Sequence, residues 1–360
     1  MKIAVLGGGH GSYAAAADLS DQGHEVYFWR RNGEAFSDLL ESSTLTLLSE
    51  QGERDIRIAH VTCDLADAVK EANLIVIPIP GTSHEQLAKQ LAPCLQDDQV
   101  VFLPPGSFGS YVFARALKDS GNNADVSFAE AGTLPYLTRK RSPTCVAINA
   151  YATRLPTGVI PYRKAKHAFT ILKQAYAVVE DVGDGLSAAL CNHGPIIHPP
   201  LIMMNAAPMQ HFDSWDIHNE GTQAAVRSVA DKLDQERIKV REALGYMAPH
   251  FPLADQYRDD GEISLYGRDA LKKLKASNDW REDISLTEHR YMLEDVELGL
   301  ALFVSCADYI GIEAPIAKGL LAMGGAIVGR DFRASGRTLE NLGLSEPDWP
   351  SLSAMLREGL

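Results

Sequence analysis

The sequence predicts an α/β protein, with a doubly wound parallel sheet in the N-terminal half and an all-helical domain after it. Three observations predict this. The first residues read as strand, glycine turn, helix and strand. Short β-branched runs then alternate with helical segments to about residue 182. From Gly185 onward those runs give way to helical periodicity. The expected division is therefore 1–184 and 185–360.

In KIAVLGGGHGSYAAAADLSDQGHEVYFWRR, Lys2 to Leu6 is a short apolar run suited to a buried parallel strand. It enters the turn Gly7-Gly8-Gly9-His10-Gly11-Ser12, and an alanine-rich helix follows to about Asp21. Gly23 ends the helix, and His24 to Trp29 reads as a second strand. That order is the Rossmann-type dinucleotide-binding unit. Gly7 permits the tight turn, and Gly9 lets a pyrophosphate approach the backbone. The helix start, at His10, Gly11 and Ser12, offers N–H groups and a positive dipole end to the phosphates. Ser12 stands where a third Gly or Ala is expected. The plain alternative is a glycine turn with no nucleotide. An NAD site usually has Asp or Glu at the end of the second strand, bonding the ribose 2′-OH. Here the strand ends Trp29-Arg30-Arg31, and arginines suit a 2′-phosphate. NADP is therefore favoured, with NAD as the alternative.

Residues 72–80 read as a strand ending in Pro80-Gly81, a turn expected to pass near the nicotinamide. Residues 99–110 form another strand-to-glycine turn, 126–140 an apolar strand, 145–161 one more strand with its turn, and 168–182 a helix and short strand. In the second half, 222–246 has amphipathic spacing and a Gly245 stop. Residues 285–312 read as one helix opening on a Ser285-x-x-Glu288 capping box, and 316–329 as an apolar helix interrupted by glycines. This last helix suits either core or the face of a homodimer.

The net charge of −13 disfavours nucleic acid as a partner. The five cysteines are scattered and form no CxxC, as expected of reduced thiols in a cytoplasm. No signal segment opens the chain and no apolar run spans a bilayer, so no membrane partner is expected.

A hydride carrier needs a partner group that handles substrate. For a keto acid or its imine, Arg would bind a carboxylate, His would exchange a proton near neutral pH, and a carboxylate would orient that His. The second half offers Arg290, His198 and Asp295. CNHGPIIHPP also carries His193, and a lone histidine there is as readily a core residue. A two-histidine metal site would need a third ligand, and none stands out, so no metal is expected.

Four stretches carry a resemblance. NHGPIIHPP resembles the His-Pro loop of the opine dehydrogenases, and HRYMLEDV resembles their Arg-Tyr-x-x-Glu-Asp-Val segment. LDQERIKVREALG and the tail GRDFRASGRTLENLGL are similar to their Glu-Arg helix and closing Gly-Arg-Thr-Leu motif. The resemblance implies an oxidoreductase that condenses the amine of an amino acid with an α-keto acid and reduces the imine with NAD(P)H. It places His198 at the catalytic acid/base, Asp295 at its carboxylate partner and Arg290 at a substrate carboxylate. His193 replaces no catalytic residue and is read as a lining or supporting group. His10 and Ser12 depart from the family's usual glycine loop. Arg290 and Asp295 are five apart, about 140° around an α-helix, so both cannot point at one spot there. The rivals are ketone reductases of the ketopantoate reductase or glycerol-3-phosphate dehydrogenase type, which use a lysine donor not seen in a matching context, and a nucleotide sensor without turnover.

Overall fold

The computed structural model describes residues 1–257, 264–267, 270, 281–282, 284–345 and 347–360. By internal contacts the chain falls into two units, Met1–Ala188 with Met355–Leu360, and Ala189–Ala354.

The first unit is built on an eight-stranded sheet. Its strands are β1 (Lys2–Leu6), β2 (Glu25–Trp29), β5 (His60–Thr62), β6 (Leu74–Val76), β7 (Val100–Leu103), β8 (Ser127–Ala131), β11 (Leu155–Ile160) and β12 (Val179–Asp181), in the order β12-β11-β8-β7-β6-β1-β2-β5. All neighbours are parallel except β8 and β11. Ile3 to Leu6 are fully buried, as a central parallel strand covered on both faces requires. Ala14 to Ala17 of the helix His10–Asp21 are also buried, and small side chains there let the helix lie close to its neighbours. The chain leaves β1 for β2 and β5 on one side, while β6, β7 and β8 lie on the other. The strand order therefore reverses beside β1, and the C-terminal ends of β1 and β6 frame the switch point.

A second sheet is absent from the sequence reading. β3 (Thr44–Ser49), β4 (Gly52–Arg57), β9 (Tyr136–Ser142) and β10 (Cys145–Tyr151) form it in the order β4-β3-β10-β9. The stretch read as one strand over 126–140 is thus β8 plus the start of β9, and 145–161 divides between two sheets as β10 and β11. β9 lies along the helix His10–Asp21. At one end the Tyr136 hydroxyl donates to Asp18 Oδ2 at 2.9 Å, and at the other the Lys140 N–H donates to His10 Nδ1 at 2.8 Å.

Among its described residues, the second unit is helical apart from a two-stranded pairing of Trp215–Asp216 with Arg281–Glu282. Its helices include Gly194–Met204, Ala224–Ala243 and Pro315–Val328. The stretch holding His198 is a helix rather than a loop, despite Pro199 and Pro200 inside it. The expected single helix over 285–312 is not formed. Residues 286–288 make a turn, Tyr291–Leu300 is π-helical, and Ala301–Tyr309 is α-helical. The Ala301 N–H bonds the Val296 carbonyl five residues back, the pattern of that wider helix. Among the described residues, no helix is long and apolar enough to cross a membrane.

Candidate active site

The first unit carries a dinucleotide cleft of about 320 Å³. Gly7 to Gly9, Trp29 to Asn32, Ile79, Pro80 and Gln86 are among its lining residues. Gly7 has φ of +132°, which favours glycine, and a Cβ there would meet Ser12 Oγ at 2.5 Å. At Gly9 a Cβ would meet nothing within 4 Å, so that face of the turn is open. The helix that follows has Gly9 as its N-cap, no side chain capping it and no acid in its first turn. Buried Ser12 Oγ has no hydrogen-bond partner among the described residues. An uncapped helix start, an open glycine and an orphaned hydroxyl fit a pyrophosphate.

Two glycines have further reasons that the spacing did not reveal. A Cβ on Gly8 would overlap the Arg30 stem, and one on Gly11 would crowd Leu134 at 2.9 Å. Arg30 Nη1 donates to the Ala35 carbonyl at 2.6 Å, and Arg31 Nη1 donates to Gln86 Oε1 at 2.7 Å. No carboxylate follows β2 directly, where Arg30, Arg31 and Asn32 stand.

The second unit brings His198 and Asp295 together. His198 Nδ1 lies 2.7 Å from Asp295 Oδ2, with the side chains 14% and 5% exposed. An ionised carboxylate only accepts, so the neutral ring carries its proton on Nδ1 and leaves Nε2 as the basic nitrogen. The approach depends on two glycines. A Cβ on Gly194 would overlap Asp295 Oδ1, and one on Gly299 would overlap the Pro195 ring. The helix Gly194–Met204 can therefore lie directly against the π-helix that carries Asp295.

Sequence reasoning missed Tyr291 and His218. The Tyr291 ring stacks on His198 at 3.7 Å and 13°, and its hydroxyl shares a 2.6 Å hydrogen bond with His218 Nε2. Tyr291 stands directly after Arg290 in the quoted segment, but nothing local in the sequence signals a stack with a histidine 93 residues earlier. Arg290 is 54% exposed, and its Nε lies 3.6 Å from Glu294 Oε2. The 140° objection assumed an α-helix. In i→i+5 winding, residues five apart are one hydrogen-bonded turn apart.

His193 is a core residue. Its Nε2–H donates to the Phe251 carbonyl at 2.7 Å, and the Gln256 amide meets Nδ1. Burial, with the Arg237 guanidinium second, pushes its pKa down to about 4. The unfolded chain takes up this proton near the ordinary value of 6.5. This contribution to stability is therefore complete above that pH and is lost as pH falls toward 4. Between pH 7.5 and 5 the group is expected to remove about 2 kcal/mol. Urea midpoints of wild type and His193→Asn at pH 7.5 and 5 check this. The variant should lose less stability on acidification, and an equal loss would refute the assignment. Among the described residues, no group of three or more His, Cys, Asp or Glu is placed to hold a metal.

Comparison with known proteins adds the following. The family model for the NAD/NADP octopine/nopaline dehydrogenase alpha-helical domain matches residues 181–328. The model for the N-terminus of NAD-dependent glycerol-3-phosphate dehydrogenase matches residues 2–126. The opine dehydrogenase of Arthrobacter sp. (strain 1C) is 28% identical over 351 residues, covering 95% of each chain. An octopine dehydrogenase solved with NADH and agmatine superposes with a TM-score of 0.74 at 17% identity, over 100% of this chain and 98% of that one. A yersinopine dehydrogenase with NADP+ bound gives 0.65 at 16% identity, over 99% and 97%. These two likenesses show the fold. The matched helical domain and the relative aligned along nearly the whole chain mark it as an NAD(P)-dependent dehydrogenase similar to the octopine, nopaline and opine dehydrogenases.

Proposed function

We propose that the enzyme joins an amino acid to an α-keto acid through a secondary amine, using NADPH in preference to NADH, with His198 as the acid/base. The observation that carries this is the His198–Asp295 pair, held at 2.7 Å beneath a stacked tyrosine. The bound dinucleotide supplies a hydride. The protein's own groups handle protons and carboxylates. His198 Nε2 takes a proton from the substrate ammonium, so that the amine can attack the keto carbon. The same nitrogen returns the proton to the carbinolamine hydroxyl, which leaves as water. Asp295 stabilises the ring while it is charged. Arg290 binds a substrate carboxylate, exchanging its long contact with Glu294 for a bidentate one. Counting the hydride and one further proton, the product has the mass of the two substrates less one oxygen atom.

The NADPH preference is supported by Arg30 and Arg31 in the cleft and by the absence of an acid directly after β2. Five unpaired cysteines suit a reducing cytoplasm. A homodimer through the exposed face of Gly319, Ala322, Met323 and Ala326 belongs to the same reading, and sedimentation velocity tests it. The chemical test is mass spectrometry of the reaction mixture. A product at the combined mass less one oxygen is expected. A 2-hydroxy acid with the amino acid untouched would move the enzyme to the ketone reductases.

A further inference from the structure

The first unit holds a cation near the glycine turn that the sequence reading did not single out. Lys140 lies on β9, which runs along the helix His10–Asp21 rather than among the strands of the main sheet. Its N–H donates to His10 Nδ1 at 2.8 Å, so the neutral His10 ring carries its proton on Nε2. Its ammonium lies 3.8 Å from the centroid of the Tyr13 ring. Tyr13 is fully buried, the Arg30 side chain lies against Gly8, and its charge acts on the Tyr13 hydroxyl without a hydrogen bond to it. Lys140, over the Tyr13 ring, and Arg30, against Gly8, thus bring two cations to the junction of the glycine turn and the end of β2.

This arrangement is costly when nothing negative is bound. Burial first, and the Arg30 charge second, push the Lys140 ammonium down, with Asp38 acting in the opposite sense. Like charges gathered around an apolar ring gain most from a multiply charged anion. The place is also specific, because the end of the second strand is where the ribose 2′ position of a dinucleotide is recognised. We infer that Lys140 joins Arg30 and Arg31 as a third cation of a 2′-phosphate site, so that β9 as well as β2 selects the cofactor. This rests on the NADPH preference proposed above.

Calorimetric binding of NADPH, NADH, 2′,5′-ADP and 5′-AMP to wild type, Lys140→Gln and Lys140→Arg tests it. Any of these side chains keeps the backbone N–H bonded to His10. Lys140→Gln should weaken NADPH and 2′,5′-ADP about tenfold, the scale of one charged hydrogen bond, and leave NADH and 5′-AMP within about twofold. Lys140→Arg should recover most of the loss. Equal weakening of phosphorylated and unphosphorylated ligands, or no weakening of either, in a wild type that prefers NADPH, would overturn the assignment of Lys140 alone. A wild type that binds 2′,5′-ADP no better than 5′-AMP would overturn both this inference and the NADPH preference.

Discussion

Replacing His198 by alanine is expected to lower kcat by about 10²- to 10⁴-fold, the usual contribution of a positioned acid/base. Dinucleotide affinity should not change, because the glycine turn, Arg30 and Arg31 all belong to the first unit. Alanine is the best helix former, and the His198 side chain is partly exposed, so the helix Gly194–Met204 should persist. Steady-state kinetics combined with a dinucleotide titration separate the outcomes. Retained turnover with intact binding would remove His198 from the chemistry.

Asp295→Asn is expected to cost about 10²-fold or more in kcat with little change in dinucleotide binding. The substitution is nearly isosteric, but an amide can also donate to Nδ1 and so favour the tautomer with its proton on Nε2. The nitrogen facing substrate would then be a donor where a base is needed. The same change of partner in a serine protease triad costs about 10⁴-fold. Asp295 is held close by Gly194 and lies almost fully buried, so solvent cannot replace its role. Kinetics at saturating substrates check this. A variant with near-normal kcat would mean that the carboxylate only packs.

Much of this was legible in the sequence because the relevant physics is local. The turn Gly7–Ser12 stands between a strand and a helix, and its spacing alone states what the backbone must do there. Arg30 and Arg31 follow β2 directly, so their position could be counted. The second sheet was not legible. β4, GERDIR, has no apolar alternation to mark a strand, and β3 finds its parallel partner β10 about a hundred residues later. Lys140 was missed for the same reason, since its meaning depends on where β9 lands. His198 and Asp295 were candidates by residue type, but only the resemblance joined them as a pair, because no local pattern links residues 97 apart. The π-helix is likewise hidden. HRYMLEDVELGL has ordinary helical composition, and the wider winding shows only in its hydrogen bonds.

The most direct test is the initial rate of NADPH oxidation with pyruvate, 2-oxoglutarate or glyoxylate, each with and without a panel of amino acids. The account predicts oxidation only when keto acid and amine are present together. Oxidation with keto acid alone would contradict it and indicate a ketone reductase, and no oxidation in any mixture would indicate a nucleotide sensor.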